Sequence, residues 1–426
     1  MRPLLALAAA VAAALALALA APAGAATDPL RAQQWGLDLI ESDAAHATAT
    51  GAGAVVAVVD SGVLASHPDL AGRLLPGHDF VQNDDTPQDG HGHGTHVTGI
   101  VAANEGNGVG VGSVAPGAVV LPVRVLDDKG GGDTAGVVKG IDYAVAHGAQ
   151  VINLSLGGDV PLLANDPEVG KAFDRAIAAG VVVVAAAGNS SAPFCDQPSV
   201  QGKLLCVGAV DRHGVQSFFS NFAGNQGVMA PGGSNSPTED DILSTWNDGK
   251  YAYVAGTSQA APHVSGVAAL LVSLGLRGQQ VVDRILATAT DAGTPGPDPQ
   301  YGYGILNAKA AVAGLSKPDG GNGDGGTAKG SASVARHWRT STVLKKGIRV
   351  SCKPAAAGTC GARVRSGSTT IAYGSAKAKA GQRVTVVARA TKAGRKLLSK
   401  RKHVTAKVEI ALPGSPTRVK TIGISR

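Results

Sequence analysis

The chain has 426 residues, 44% of them apolar and 4% aromatic, and a formal net charge of +7. That is enough to bury a full-sized core with residues left for a second domain, and no segment beyond residue 26 is long and apolar enough to span a bilayer. The net charge hides an asymmetry: residues 331–426 hold 22 Lys and Arg against one acid, Glu409, while residues 1–330 hold 16 bases and 30 acids. Two regions of opposite sign in one chain imply two functions, or one function and its anchor.

Residues 1–26 read as an export signal. Arg2 precedes an apolar run from Leu4 to Ala20, and the small residues Ala21–Ala26 carry overlapping A-x-A sites, so cleavage is expected after Ala25 or Ala26. An uncleaved membrane anchor is the competing reading, disfavoured because the small-residue site follows the run directly. Export makes the protein secreted and extracellular, with cell-surface association left open, and it makes disulfides permissible. The four cysteines fall into two close pairs, Cys195 with Cys206 and Cys352 with Cys360. Nearest-neighbour pairing is the simplest of three connectivities, and neither C-x₂-C spacing nor a nearby histidine pair supports a metal site instead.

In residues 27–315, the runs Ala54–Val59, Val119–Val125, Val151–Leu154, Val181–Ala185 and Leu204–Val210 are short, β-branched and apolar without alternation, as strands buried on both faces are. Helix-like stretches at Thr134–His147 and Asp166–Ala179 lie between them. The alternation predicts an α/β domain with a mostly parallel sheet and helices on both faces. Residues 316–330, rich in glycine with Pro and Asp, read as a linker. In residues 331–426 the segments Gly347–Ser351, Arg383–Ala388 and His403–Ile410 alternate polar with apolar, predicting a small all-β domain with one solvated face per sheet.

Three elements carry candidate chemistry. The strand Ala54–Val59 ends in Asp60-Ser61-Gly62, placing a carboxylate at the carboxyl edge of a parallel sheet, where open α/β sheets put their ligand sites. His93 sits in His91-Gly92-His93-Gly94-Thr95-His96-Val97, where glycines allow close backbone approach before a buried helix. Ser258 lies in Gly256-Thr257-Ser258-Gln259-Ala260-Ala261-Pro262-His263-Val264, a turn feeding a helix whose first turn accepts Pro262, so the serine is near the positive end of the helix dipole. Each alone is weak, since a strand-end Asp often accepts turn hydrogen bonds and a lone His is more often structural.

Together, in the order Asp, His, Ser, they resemble the three signature motifs of the subtilisin (subtilase) family: VVDSG, HGHGTHVTGI and GTSQAAPHVSG. The resemblance continues through Gly112–Pro116, Ile152–Gly158 and Ala186–Asn189 and covers roughly residues 30–314. It implies a subtilisin-like fold and a serine endopeptidase with Asp60, His93 and Ser258 as catalytic triad, Asn189 as oxyanion-hole donor, and an acyl-enzyme intermediate. It further implies that substrate lies extended between Gly130-Gly131-Gly132 and Ser155-Leu156-Gly157. Ala186, Ala187 and Gly188 would wall an S1 pocket roomy enough for a large apolar P1 side chain, giving broad specificity.

The chain departs from the family where Gln259 replaces the usual methionine, removing an oxidisable thioether. The match begins near Gln33–Leu37, close to the expected cleavage site, so the common inhibitory prodomain is not expected; folding is then unaided or assisted in trans. No cofactor is needed for the chemistry, but Asp69 in His67-Pro68-Asp69-Leu70 matches a family ligand to structural calcium, although the loop Asn104–Gly112 differs in length from the usual one. Two rival functions are a catalytically inactive subtilase scaffold and a basic binding module. The basic domain suits an anionic cell-wall polymer or surface; with only Trp338 and Tyr373 able to stack bases, no specific nucleic-acid motif is visible.

Overall fold

Valine-rich runs make the scaffold of the first part of the chain. Val55–Asp60 (β1), His78–Asp79 (β2), Val119–Arg124 (β3), Val151–Leu154 (β4), Val182–Ala186 (β5), Leu205–Val210 (β6) and Val228–Pro231 (β7) form one sheet in the order β2-β3-β1-β4-β5-β6-β7. Every pairing is parallel. The computed structural model describes residues 28–156, 166–197, 204–224, 226–235, 238–316, 331–335, 337–353, 358–366, 369–379, 382–412 and 415–426. The expected export signal, nearly all of the expected linker and Gly157 lie outside the described residues.

The lack of alternation in these strands has a direct cause: each face of the sheet has its own core. Val56 and Val58 of β1, with Val120, Val182 and Val184, pack on one side in a core shared with helices His93–Ala102 (α1), Thr257–Ser273 (α4) and Gln279–Thr288 (α5). Ala57 and Val59, with Leu121, Val123 and Ile152, pack on the other side against Thr134–Ala146 (α2) and Pro167–Ala178 (α3). Strand residues of both parities are therefore apolar. The expected elements fall within about one residue of the observed ones. Sequence reasoning passed over β2, β7 and the antiparallel hairpin Ile242–Thr245 (β8) and Tyr251–Val254 (β9).

By its contacts the chain divides into two compact units, Met1–Asp319 and Gly320–Arg426. The second unit is an eight-stranded sheet in the order β10-β12-β15-β14-β13-β16-β17-β11. Its strands are Ser331–Val334 (β10), His337–Arg339 (β11), Ile348–Lys353 (β12), Gly358–Ser366 (β13), Thr369–Ala378 (β14), Val384–Ala390 (β15), His403–Leu412 (β16) and Ser415–Ser425 (β17). Alternation has the expected effect: Ile348, Val350, Val364, Val386, Val404 and Val408 are buried, and the polar residues between them face water. Two short helices not foreseen in the sequence, Thr340–Lys346 (α6) and Lys392–Lys400 (α7), pack on the inner face through Val343 and Leu398. Both disulfides follow the nearest-neighbour pairing, Cys195–Cys206 and Cys352–Cys360. Among the described residues no helix is long and apolar enough to cross a membrane.

Helix α4 is apolar nearly all round and runs through the first core, so its contacts tolerate no added volume. A Cβ on Gly266 would stand 2.4 Å from Val114 Cβ. Gly266→Ala is expected to lower the unfolding free energy by about 1–3 kcal/mol, measured by urea denaturation in a Ser258→Ala background that prevents self-digestion.

Candidate active site

Strand β1 ends at Asp60, which is fully buried. Asp60 Oδ1 accepts from His93 Nδ1 at 2.7 Å and from Ser61 N at 2.7 Å. A carboxylate can only accept here, so Nδ1 carries the proton and neutral His93 keeps its lone pair on Nε2. His93 is the first residue of α1, and its side chain retains 19% of its exposure. Burial pushes the imidazole pKa down, but the Asp60 charge and hydrogen bond, aided by the Asp89 charge, outweigh it and hold the pKa above its ordinary value. His96 and His263 differ: burial holds them down, to about 3 and about 4. They serve as neutral structural donors, His96 Nε2 facing the carbonyls of Ile242 and Ala252 at 3.0 Å each.

Sequence reasoning missed the group that fixes this geometry. Asp89, 3% exposed, accepts through Oδ1 from Ser61 Oγ, His91 N and Gly92 N at 2.9, 3.0 and 2.7 Å. Through Oδ2 it accepts from Thr95 N and Thr95 Oγ1 at 2.9 and 2.6 Å. One carboxylate thereby satisfies the unpaired amides at the start of α1 and ties them to the end of β1. Gly92 has φ 108°, and a Cβ there would meet the Trp246 ring at 2.5 Å, which explains the glycine before His93.

On the opposite side, Ser258 is the second residue of α4, where an amide N–H has no intrahelical partner. Pro262 lies in the second turn of the helix rather than the expected first. Its missing N–H would have bonded the Ser258 carbonyl, which instead accepts Ser155 Oγ at 2.8 Å. Ser258 Oγ in turn donates to the Ser155 carbonyl at 3.2 Å rather than to His93. Asn189 Oδ1 accepts from Thr257 N and Thr257 Oγ1 at 2.9 and 3.0 Å, which fixes the amide with its NH₂ as the free end. Buried Gln259 leaves Nε2 without a hydrogen-bond partner among the described residues.

His93, Ser258 and Asn189 meet in one cleft of about 200 Å³, whose other lining residues are His91, Leu126, Gly130, Ser155, Leu156, Val254, Ala255 and Gln259, with Asp60 buried behind His93. Of the expected substrate edges, Gly130, Ser155 and Leu156 are there. Gly131 is not among the lining residues: its N–H bonds Asp127 Oδ1 and its carbonyl accepts Asp127 N, while Gly132 bridges back to Leu126, so the run folds as a closed turn. Ala186, Ala187 and Gly188 are buried behind Asn189 at the end of β5, with Gly188 N bonded to Thr257 Oγ1. Asp69 lies away from this cleft, fully buried, its carboxylate accepting from Asn107 Nδ2 at 2.8 Å and Val111 N at 2.9 Å. Burial first, and then the Asp28 charge, raise its pKa. Asp28 and Asp69 are hard oxygen donors of the kind Ca²⁺ takes, but all four of their carboxylate oxygens accept N–H groups of residues 106–111, so a cation there would share or displace those bonds.

The sequence profile of the subtilase family matches residues 51–304, more than half of the chain. The chain belongs to the subtilase family. It is 41% identical to thermitase of Thermoactinomyces vulgaris over 66% of this chain and 96% of that one. It is 38% identical to subtilisin DY of Bacillus licheniformis over 65% and 98%. Among solved structures it resembles a protease of Pseudoalteromonas arctica with a TM-score of 0.60 and 33% identity, covering 68% of this chain and 99% of that one. This subtilase is accordingly a subtilisin-like serine endopeptidase.

Because five donors converge on Asp89, an amide in its place would set its own N–H groups against Thr95 or Ser61. Asp89→Asn is expected to cost about 3 kcal/mol of stability and to lower kcat about 10- to 100-fold by loosening His93. Urea unfolding and steady-state kinetics check both, and parent-like values would show that Asp89 does not position the imidazole.

Proposed function

We propose that Asp60, His93 and Ser258 act as a triad that cleaves internal peptide bonds of protein or peptide substrates. The observation that carries this reading is the 2.7 Å bond from His93 Nδ1 to Asp60, which leaves Nε2 as the basic atom of a cleft shared with Ser258 and Asn189. Ser258 Oγ leaves the Ser155 carbonyl, gives its proton to His93 Nε2 and attacks the substrate carbonyl carbon. The oxyanion that forms accepts from Asn189 Nδ2 and the Ser258 N–H. His93 then protonates the leaving amine, and a water activated by the same imidazole releases the acyl group from Ser258. Asp60 accepts from His93 Nδ1–H throughout and stabilises the imidazolium.

Substrate backbone lies between Ser155 and Leu156 on one side and Gly130 on the other. Ala186, Ala187 and Gly188 back the cleft without lining it, and their small size behind Asn189 leaves room for a large apolar P1 group. The export signal directs the chain to the extracellular space, where the basic unit 331–426 holds it to an anionic cell-wall polymer or surface. Asp69, with Asp28 beside the same loop, would hold a structural Ca²⁺ and share its carboxylate oxygens with the N–H groups of residues 106–111.

Ser258→Ala is expected to cut kcat about 10⁴-fold or more while leaving the fold intact, with residual activity within tenfold of the parent excluding the assignment. Fluorophosphonate labelling should mark Ser258 alone. Since His93 must be neutral to act, and Asp60 raises its pKa above the ordinary 6.5, activity is lost as pH falls through that raised value. The acid limb of kcat/KM should therefore have its midpoint above pH 6.5. For the metal, a chelator should lower the thermal unfolding midpoint of the Ser258→Ala protein and leave that of a further Asp69→Asn variant unchanged; equal shifts would remove Asp69 as a ligand.

A further inference from the structure

We infer that the outward face of the second unit binds an acidic polysaccharide, and that a cross-strand row of Arg389, Tyr373 and Arg363 is its contact. This rests on the anchor reading above and locates it. Tyr373 in β14 pairs with Arg363 of β13 on one side and Arg389 of β15 on the other. Directly paired residues share a face of a sheet, and neighbouring strands stand about 4.8 Å apart, so an aromatic ring sits between two guanidinium-bearing residues within a span of about 10 Å. All three are exposed, Tyr373 at 65%, while the residues beside them in sequence, Val364, Ala372 and Ala388, are buried in the core.

The same face continues with exposed Lys377 of β14, Arg349 of β12, which pairs with Val387, and Lys407 of β16, which pairs with Arg365. By register Arg363 also pairs with Glu409, the one acid of residues 331–426. Helices α6 and α7 pack on the inner face, so they leave this surface uncovered.

Charge alone would suit any polyanion; the ring narrows the choice. A tyrosine flanked by guanidinium groups offers a flat apolar surface for the C–H face of a sugar and, next to it, planar donors matched to carboxylate. Sequence-tolerant binding of single-stranded nucleic acid uses successive aromatic platforms. Here Tyr373 stands alone, since the indole of Trp338 is half-buried and gives its Nε1–H to the Ala335 carbonyl at 2.8 Å. A carboxylate-bearing glycan is therefore the occupant that uses every group in the row.

The test uses the full-length chain carrying Ser258→Ala, with immobilised polygalacturonate as probe and neutral dextran and oligo-dT as comparisons. The parent should bind polygalacturonate, release it as salt is raised, and ignore dextran. Tyr373→Ala and Arg389→Ser should each weaken binding about tenfold. Lys396→Ser/Lys400→Ser, which removes two exposed charges of α7 on the opposite side of the sheet, should change it less than about twofold. If that pair weakens binding as much as the row variants, net charge alone is responsible and the assigned surface is wrong, while the anchor reading survives. If the parent binds none of the polymers, the anchor reading itself fails. Tighter binding to oligo-dT that Tyr373→Ala abolishes would make the partner nucleic acid and overturn the glycan assignment. Unfolding midpoints like the parent's exclude misfolding of the variants, and peptide hydrolysis by the same variants with Ser258 restored should be unchanged.

Discussion

The hydrogen bond between Asp60 and His93 is the contact on which the cleft depends, and most of the first unit serves to place its two ends. Asp60 has no freedom to move: it closes a strand held between β3 and β4 and packed by a core on each face. His93 has little more, because its helix starts on a carboxylate that also holds Ser61, the residue after Asp60. A short, charge-assisted bond between buried partners strengthens with every degree of freedom removed around it. The raised pKa of His93 is the electrostatic signature of that arrangement.

The serine side is organised by a deliberate flaw in a helix. Proline inside a helix normally costs stability because a carbonyl loses its partner. In α4 the carbonyl set free belongs to Ser258, and Ser155 Oγ takes the vacant position. Strand β4, which leads into the expected substrate edge, is thus fastened to the nucleophile's own backbone. Asn189 is fastened to the neighbouring Thr257 in the same way. Shifts of the helix would move nucleophile, oxyanion donor and substrate edge together, which preserves their mutual spacing.

Much of this was legible in the sequence, for reasons that differ by element. The buried strands announced themselves because residues of both parities face apolar cores, and the triad because three local patterns occur in one order. Asp89 was not legible, since an aspartate before glycine reads as an ordinary turn and its five donors converge only in space. The glycine run Gly130–Gly132 looked uniform, yet the side chain of Asp127 claims Gly131 and separates it from Gly130. Helices α6 and α7 were obscured by short length and by lysines that mask their few core contacts. The hairpin β8–β9 went unseen because it lies outside the main sheet and buries itself against α1 through His96.

The order of strands in the second unit has a consequence for how it is made. Strands β10 and β11 are nearly adjacent in sequence but occupy opposite ends of the sheet. His337, near the start of the unit, pairs with Gly423, near the end of the chain, and β17 also completes β16 along almost its whole length. Strand β11 therefore pairs only once β17 has formed, and a loop of more than eighty residues must close before the sheet gains that edge. Strand β17 therefore holds both neighbours, and truncation within it would strip pairing from β16 and β11 at once.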